Sequence, residues 1–561
     1  MSDTVEREAM EYDVVIVGAG PSGLAAAIRL KQLNADLSVA VLEKGAEIGA
    51  HILSGAVIDP KGLNELIPDW KAQGAPLETP VKTDKFMLLG PAGSLELPMF
   101  LMPPFMNNHG NYIASLGNIC RWLGQQAEAL GVEIYPGMAA SAPVYDGDTL
   151  VGVVAGEFGI GKDGQPGPNY EPGIELRGKY VFIGEGVRGS LSKILRAKFD
   201  LGKNADPEKY GIGLKELWQV PDAVFQPGLV VHTTAWPLDD KTGGGSFMYH
   251  FGDNYISIGF VVHLNYKNPW LSPFDEFQRF KHHPEVSKHL AGGKRIAYGA
   301  RAISEGGLQS IPTLQFPGGV LLGDSAGFVN VPRIKGSHAA IKSGMMAAEA
   351  AAAAIAAGRS GDALVEYGEA FERSWLRKEL HTVRNAKPIL SKFGTAIGGF
   401  VSMLDMWTTH LLGGFSFFGT MHHGKSDAAS TGLAKDYKEI SYPKPCLRQV
   451  HRSREAARNG AVKGELALSI VTGIFVFAFK GQLSAKLKGV VAPRHGQCVA
   501  YRLVAIANLE ALRRTSKSKA GDAQTRNRVV FIFGENIADT GGVGIVGAPA
   551  PSNQVGTDKV L

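Results

Sequence analysis

The chain has 561 residues, 45% hydrophobic and 20% charged, which excludes a peptide or small binding module and predicts two or three folded domains. Its three cysteines, Cys120, Cys446 and Cys498, exclude a disulfide scaffold and a zinc ribbon. The net charge of +5 is unevenly placed: residues 446–561 hold 17 Lys+Arg against 7 Asp+Glu, so the preceding part is mildly acidic. Those basic residues are scattered, as at Arg448, Arg452, Arg454 and Arg458, which argues against a nucleic-acid partner. Met1 to Tyr12 is acidic and polar, without the basic start and apolar stretch of an export signal. The longest apolar stretch, Leu466 to Phe479, would reach about 21 Å as a helix against a hydrocarbon core of roughly 30 Å, so no transmembrane helix is expected.

The first chemical signal follows at once. Asp13 to Val17 reads as a buried strand that runs into Gly18-Ala19-Gly20-Pro21-Ser22-Gly23, then into the helical pattern Leu24 to Leu30. A second strand, Ser38 to Leu42, ends in Glu43 and is followed by Lys44. In a βαβ unit Gly18 makes the tight turn, Gly20 admits a pyrophosphate to the backbone and Gly23 lets helix and strand pack closely. Pro21 and Ser22 open the helix, whose free N–H groups and partial positive charge favour phosphate. Glu43 stands where it would accept hydrogen bonds from the adenosine ribose, with Lys44 beside it.

Two later segments repeat the pattern of a strand ending in small residues. Tyr180 to Ile183 runs into Gly184-Glu185-Gly186, and Gly319 to Leu322 runs into Gly323-Asp324-Ser325-Ala326-Gly327. Either could be a plain turn, or in the second case an Asp-capped helix. Taken with the N-terminal motif, Gly186, Gly323 and Asp324 predict FAD held between discontinuous pieces of one domain. The alanine-rich segment Ala339 to Ala357 is expected to be helical.

Other features have weaker chemical content. His282-His283 and His422-His423 lack carboxylate partners and read as surface or packing histidines; no metal site is assigned. No Ser-His-Asp order or catalytic carboxylate pair stands out, and no catalytic residue is assigned. Gly243-Gly244-Gly245 reads by itself as a hairpin turn. Pro98 to Met106 and Phe393 to Phe418 are rich in Phe, Leu and Met, and suit either a buried hairpin or a membrane surface. Asp405 and His410 in the second segment make a spanning helix costly.

Residues 13–445 resemble the electron transfer flavoprotein-ubiquinone oxidoreductase family in Pro104–Tyr112 (PFMNNHGNY), Tyr210–Trp218 (YGIGLKELW), Gly292–Pro312 (GGKRIAYGARAISEGGLQSIP) and Val331–Ser343 (VPRIKGSHAAIKS). The resemblance implies an α/β plus α+β fold, with a Rossmann-type FAD-binding domain and an interleaved antiparallel β quinone-binding domain. It divides the chain into an FAD domain over 1–90, 131–200 and 316–390, a membrane and quinone-side insertion over 91–130, and a β-rich quinone domain over 201–315. A membrane-surface hairpin and linker would follow over 391–445, and an atypical basic tail over 446–561. The resemblance further implies electron transfer flavoprotein as donor and ubiquinone as acceptor, with the backbone of Gly244 and Gly245 approaching a quinone carbonyl. The family has a tyrosine where this chain has Gly243. The expected location is the surface of the inner membrane, at the bacterial cytoplasmic face or in the mitochondrion. A related FAD-dependent reductase or hydroxylase of a lipid-like substrate, or a flavin-binding but catalytically incomplete chain, are the alternatives.

The resemblance stops at Pro445. The family carries a 4Fe-4S cluster on a late C-x-x-C-x-x-C group and one earlier cysteine, and such a cluster needs four thiolates. Cys446 and Cys498 are the only cysteines of the tail, so the cluster ligands are absent. The tail also follows no sustained helix or strand period, which points to a shifted reading frame. Translating the coding DNA in the other two frames past codon 445 is expected to reveal the missing cysteine group; neither frame containing it would leave a true replacement.

Overall fold

The computed structural model describes residues 6–53 and 55–442, so the tail over 446–561, with Cys446 and Cys498, lies outside the described residues. The chain enters through strand β1 (Ala9–Val17), helix α1 (Pro21–Leu33) and strand β2 (Val39–Glu43). A hairpin follows, β3 (Thr83–Leu89) and β4 (Ser94–Leu97), then helix α2 (Leu116–Ala129) and strand β5 (Glu133–Pro136). An antiparallel pair, β6 (Ala140–Asp146) and β7 (Thr149–Ala155), leads to β8 (Ile174–Ile183). The next block is β9 (Tyr210–Gln219), β10 (Leu229–Ala235), β11 (Gly244–Phe251), β12 (Tyr255–His263), helix α3 (Pro273–Lys281) and β13 (Lys294–Ser304). Strands β14 (Gln315–Phe316) and β15 (Gly319–Leu321) then precede helices α4 (Ser337–Ala356) and α5 (Ala386–Leu411).

These strands form two principal sheets. The first runs β14-β15-β8-β1-β2-β5, parallel from β15 to β5, with β7 and β6 paired antiparallel at the N-terminal half of β8. Val14 to Val17 and Tyr180 to Ile183 are buried, the continuous apolar pattern of a sheet covered on both faces. Helix α1 crosses α4 closely because small residues line both. A Cβ on Gly344 would stand 2.2 Å from Ser22 O and 2.9 Å from Ala26 N. Among the described residues α4 is the helix long and apolar enough to cross a membrane, but 61% of its window is buried, which makes it a core helix.

The second sheet runs β13-β9-β12-β11-β10-β3-β4 and is antiparallel except where β10 lies parallel to β3. One face packs on α3 through Phe260, Phe277 and Phe280, with ring centroids of Phe260 and Phe280 5.6 Å apart. The mixed α/β class with a Rossmann-like first layer is therefore present.

One expectation is corrected. The boundary drawn at residues 90 and 91 cuts through one structural unit: β3 and β4 belong to the second sheet because β3 pairs with β10 along its whole length. Residues 116–129 return to the first layer as α2, which packs on α1. The segment over 391–445 opens on a chain reversal, since a Cβ on Gly398 would stand 3.0 Å from Leu390 Cα. It begins inside α5, a helix kinked at Gly394, where φ is 80°. Asp240 restarts the helix beyond the kink, its O and Oδ1 accepting from the N–H groups of Thr395 at 2.8 Å and Ala396 at 2.7 Å.

The α1–α4 crossing gives a direct test. Gly344→Leu is expected to cost about 3 kcal/mol or more through overpacking. Gly399→Ala, whose Cβ would meet nothing within 4 Å, should be neutral or stabilise α5 by roughly 0.5–1 kcal/mol. Thermal unfolding of the two variants distinguishes them.

Candidate active site

The ends of β1, β8 and β15 meet. Gly184 N–H donates to Val17 O at 2.8 Å and Leu322 N–H to Ile183 O at 2.9 Å, while Gly18 N–H reaches Leu42 O at 2.8 Å. Gly18 has a φ of 105°, and a Cβ on it would stand 2.5 Å from Gly184 O. Gly23 is forced by the helix itself, since its Cβ would stand 2.1 Å from Gly18 O. Gly20 differs: no atom lies within 4 Å of the place its Cβ would take, so its backbone faces open space. Pro21 is the first residue of α1, whose first turn has neither a side-chain cap nor an acidic residue, leaving its N–H groups for an anion.

The remaining candidates gather around this corner. Ser22 lies under it, 2.9 Å from the Cβ position of Gly323. The Glu43 carboxylate accepts from Gly45 N–H at 2.7 Å and Ala19 N–H at 3.2 Å, which fixes it across the glycine turn. Lys44 is exposed at the rim. Gly186 has a φ of 79°, and its carbonyl accepts from the Ser325 hydroxyl at 3.0 Å.

A cavity of 2710 Å³ opens from this corner and runs between the two sheets. Gly18, Gly20, Pro21, Ser22, Glu43, Lys44, Gly186 and Asp324 line it; Gly23 and Gly323 do not, and serve close packing instead. Asp324 sits in a short turn rather than capping a helix. Burial pushes its carboxyl up to about 6 against hydrogen bonds from Ser304, and its Oδ1 has no partner among the described residues. An orphaned acceptor, an open Gly20 and an uncapped helix start together fit a dinucleotide diphosphate with hydroxylated sugar groups.

The far part of the cavity is walled by the second sheet. Gly244 and Gly245 both line it, in strand β11 rather than in a turn. Neighbouring strands already require them: a Cβ on Gly244 would stand 2.3 Å from Val261 O, and one on Gly245 2.9 Å from Thr233 O. The space a side chain at Gly243 would take is filled by His263, with Nδ1 2.2 Å from the Cβ position. Three further groups on this wall escape sequence reasoning. Lys215 has its ammonium 5.3 Å from the Phe247 ring and no ion-pair or hydrogen-bond partner among the described residues; burial, then Arg301, brings it down to about 8. Glu305 and Lys387 form an ion pair of 2.6 Å. A charged residue inside the apolar run YGIGLKELW was the one available signal for Lys215, and none existed for a pair 82 residues apart.

Polar residues elsewhere hold the frame. Arg333 bridges Asp59 at 2.7 Å and Glu379 at 3.0 Å, and Glu379 also meets His338 at 3.0 Å. Burial alone would raise the Glu379 carboxyl, but the His338 hydrogen bond and the neighbouring charges bring it to about 2. His283 is buried against Gly90 O at 3.0 Å and His423 against Gly306 O at 2.8 Å, while exposed His422 meets Asp206 at 2.9 Å. Cys120 is buried, and burial pushes its thiol up to about 12. Among the described residues no group of three or more His, Cys, Asp or Glu is arranged to hold a metal. These residues therefore do not fit a 4Fe-4S cluster.

The sequence relationships agree with this geometry. A profile for the NAD(P)-binding Rossmann-like domain matches residues 16–74, and one for the ubiquinone-binding part of ETF-QO matches residues 210–303. Fold and cavity define a Rossmann-type flavoprotein oxidoreductase that binds FAD. An electron transfer flavoprotein-ubiquinone oxidoreductase of Pseudomonas aeruginosa is 53% identical over 449 residues, covering 79% of this chain and 81% of its own. The mitochondrial protein of the same name from Rattus norvegicus is 50% identical over 454 residues, covering 79% and 73%. The chain belongs to the electron transfer flavoprotein-ubiquinone oxidoreductase family. A solved geranylgeranyl bacteriochlorophyll reductase-like protein of Thermoplasma acidophilum, at 18% identity and a TM-score of 0.48 over 82% of this chain and 100% of its own, is too distant to add to this.

Because Gly20 has free space inside the protein, its substitution reports on the ligand. Gly20→Val is expected to fold with an unchanged melting temperature when both proteins are stripped of flavin, yet to lose at least tenfold in FAD affinity by fluorescence titration.

Proposed function

We propose that this chain oxidises reduced electron transfer flavoprotein and reduces ubiquinone to ubiquinol at a membrane surface. The observation that carries the reading is the continuity of one cavity. It extends from Gly20 and Asp324, past Gly244 and Gly245, to Phe400 and Met403 on α5. FAD, when bound, takes up electrons from the donor and passes them to the quinone.

The chain's own residues divide the work by position. The glycine turn, the start of α1 and Glu43 would hold the diphosphate and adenosine end, and Asp324 would accept from a ribityl hydroxyl. The wall of the second sheet forms the quinone site, where the backbone at Gly244 and Gly245 meets a carbonyl. The apolar arm beyond them takes the isoprenoid tail. The second sheet on one side and α5 on the other wall this part of the cavity.

The membrane reading rests on an exposed apolar face. Ile397, Phe400, Leu404 and Leu411 recur at helical spacing along α5 after Gly394, with Leu404 48% and Leu411 68% exposed. Phe100, at 78%, and Phe417, at 77%, extend the patch beside it. Trp407 Nε1–H donates to Leu101 O at 2.8 Å, which joins the two segments into one surface. Asp405 does not oppose insertion, because it turns inward, 3% exposed, and accepts from the Ser416 hydroxyl. Such a patch on one face suits shallow insertion into one leaflet.

Glutamate at both Leu404 and Phe417 is expected to lower flotation with phosphatidylcholine vesicles at least tenfold. Reduction of a vesicle-bound long-tailed ubiquinone should fall in parallel, while a soluble short-tailed analogue is still reduced. Full flotation by the double variant would exclude this surface.

A further inference from the structure

A buried acid shares the cavity wall with the glycine pair. Glu305, the residue after β13, is 1% exposed, and its side chain lies on the cavity wall. Its Oε2 accepts from Lys387 Nζ at 2.6 Å, at the start of α5. Its Oε1 has no hydrogen-bond partner among the described residues and lies 3.4 Å from His263 Nε2. His263 stands between Glu305 and the glycines: Nε2 faces Glu305, its backbone N–H donates to Gly243 O at 3.0 Å, and its ring fills the space over Gly243. Both His263 and Lys387 line the same cavity as Gly244 and Gly245.

A buried ion pair by itself is ordinary structure. Here one carboxylate oxygen is left without a donor, which costs free energy unless something else uses it, and that oxygen lies beside an imidazole on the wall of a substrate cavity. Charged groups continue outward from the pair. Glu305 N–H donates to Lys209 O at 2.7 Å, and Lys209 Nζ meets Asp427 Oδ1 at 3.3 Å. His423 closes the same corner on Gly306 O, next to Asp206 and exposed His422. Lys387, His263, Lys209, Asp427 and His423 are the titratable groups facing Glu305 from the elements packed around it. Burial raises the Glu305 carboxyl against the opposing Lys387 charge, and burial lowers the His263 imidazole well below its usual range. The acid thus holds a proton to higher pH than an exposed glutamate, and the imidazole stays neutral and does not hold a second proton.

We propose that Glu305 supplies a proton to the quinone carbonyl at Gly244 and Gly245 by way of His263, which stands between them; this rests on the quinone site described above. Quinone reduction takes two electrons, supplied by the family's reaction, and two protons. At the carbonyl nearest the glycine pair the His263 Nδ1–H bond breaks as an O–H bond forms on the quinol, the Glu305 O–H proton moves to His263 Nε2, and Lys387 holds the carboxylate left behind. Water returns a proton to Glu305 through His263, and water in the cavity protonates the other oxygen.

The test follows flavin reoxidation after photoreduced, FAD-loaded full chain is mixed with a short-tailed ubiquinone between pH 6 and 9. Glu305→Gln is expected to slow reoxidation about 100-fold and to flatten its pH dependence, with the flavin absorption spectrum unchanged. His263→Gln should slow it by a similar factor and recover in part with added imidazole. Should Glu305→Gln fail to load FAD, the unsubstituted protein decides, since reoxidation must be slower in D2O than in H2O. Unaltered kinetics in Glu305→Gln, or equal rates in the two waters, overturns the proposal. A photoreactive azido-ubiquinone separates the two ideas. Labelling within Leu229–His263 together with unaltered Glu305→Gln kinetics rejects the donor alone, whereas labelling confined to other segments rejects the site and the donor with it.

Discussion

At the carboxyl ends of β1, β8 and β15, main chain packs against main chain with no room for side chains. A Cβ at Gly18 would enter Gly184 O, one at Gly23 would enter Gly18 O, and one at Gly344 would enter Ser22 O. These contacts are short because the pieces come from three distant parts of the chain and converge on a single crevice. The close α1–α4 crossing sets the height of α1 above the sheet, and hence where its unpaired N–H groups point. The rest of the molecule is arranged around that corner. A parallel sheet places its strand ends together, and the loops leaving them have no choice but to line one opening.

The second layer converts the opening into an enclosed site. Because β3 and β4 are borrowed from the N-terminal part to extend a sheet built mainly from residues 210–304, the two layers are tied by chain crossings as well as by packing. The Arg333, Asp59, Glu379 and His338 cluster fixes the segment between β15 and α4 against residues near the start of the chain. Truncating any one member would leave charge in a poorly solvated place. That cluster accounts for much of the VPRIKGSH stretch, a conspicuous motif with a structural task. The polar groups on the cavity wall, Lys215, Glu305 and His263, have fewer partners and face open space.

Much of the first layer was legible from spacing alone. Strand, glycine turn, helix, strand and terminal acid occur in sequence order, so local rules suffice for Gly18, Gly20, Gly23 and Glu43. Asp324 was legible too, as an acid following a buried strand, although the structure places it in a short turn and leaves one oxygen free. The reversal at Gly394 in the segment over 391–445 has its cause elsewhere in the chain. Asp240, more than 150 residues earlier, restarts the helix after Gly394, and no local pattern reports that. The boundary near residue 90 was misread for a similar reason: strand β3 looks the same whichever sheet receives it, and its parallel pairing with β10 is decided by the whole fold.

The sequence by itself determined the dinucleotide corner, the family and the lack of cluster cysteines in the tail, because each depends on residue identity at short spacing. It also supplied the charge contrast between an acidic body and a basic tail. Only the tertiary structure decided that Gly244 and Gly245 are needed by neighbouring strands as well as open to the cavity, and that His263 occupies the space above Gly243. It alone assembled Glu305, His263 and Lys387 on the same cavity wall. The physical reason is distance along the chain: a side chain's neighbours in a folded sheet come from segments tens to hundreds of residues away, and burial, which sets both their protonation and their need for partners, exists only once those segments have met.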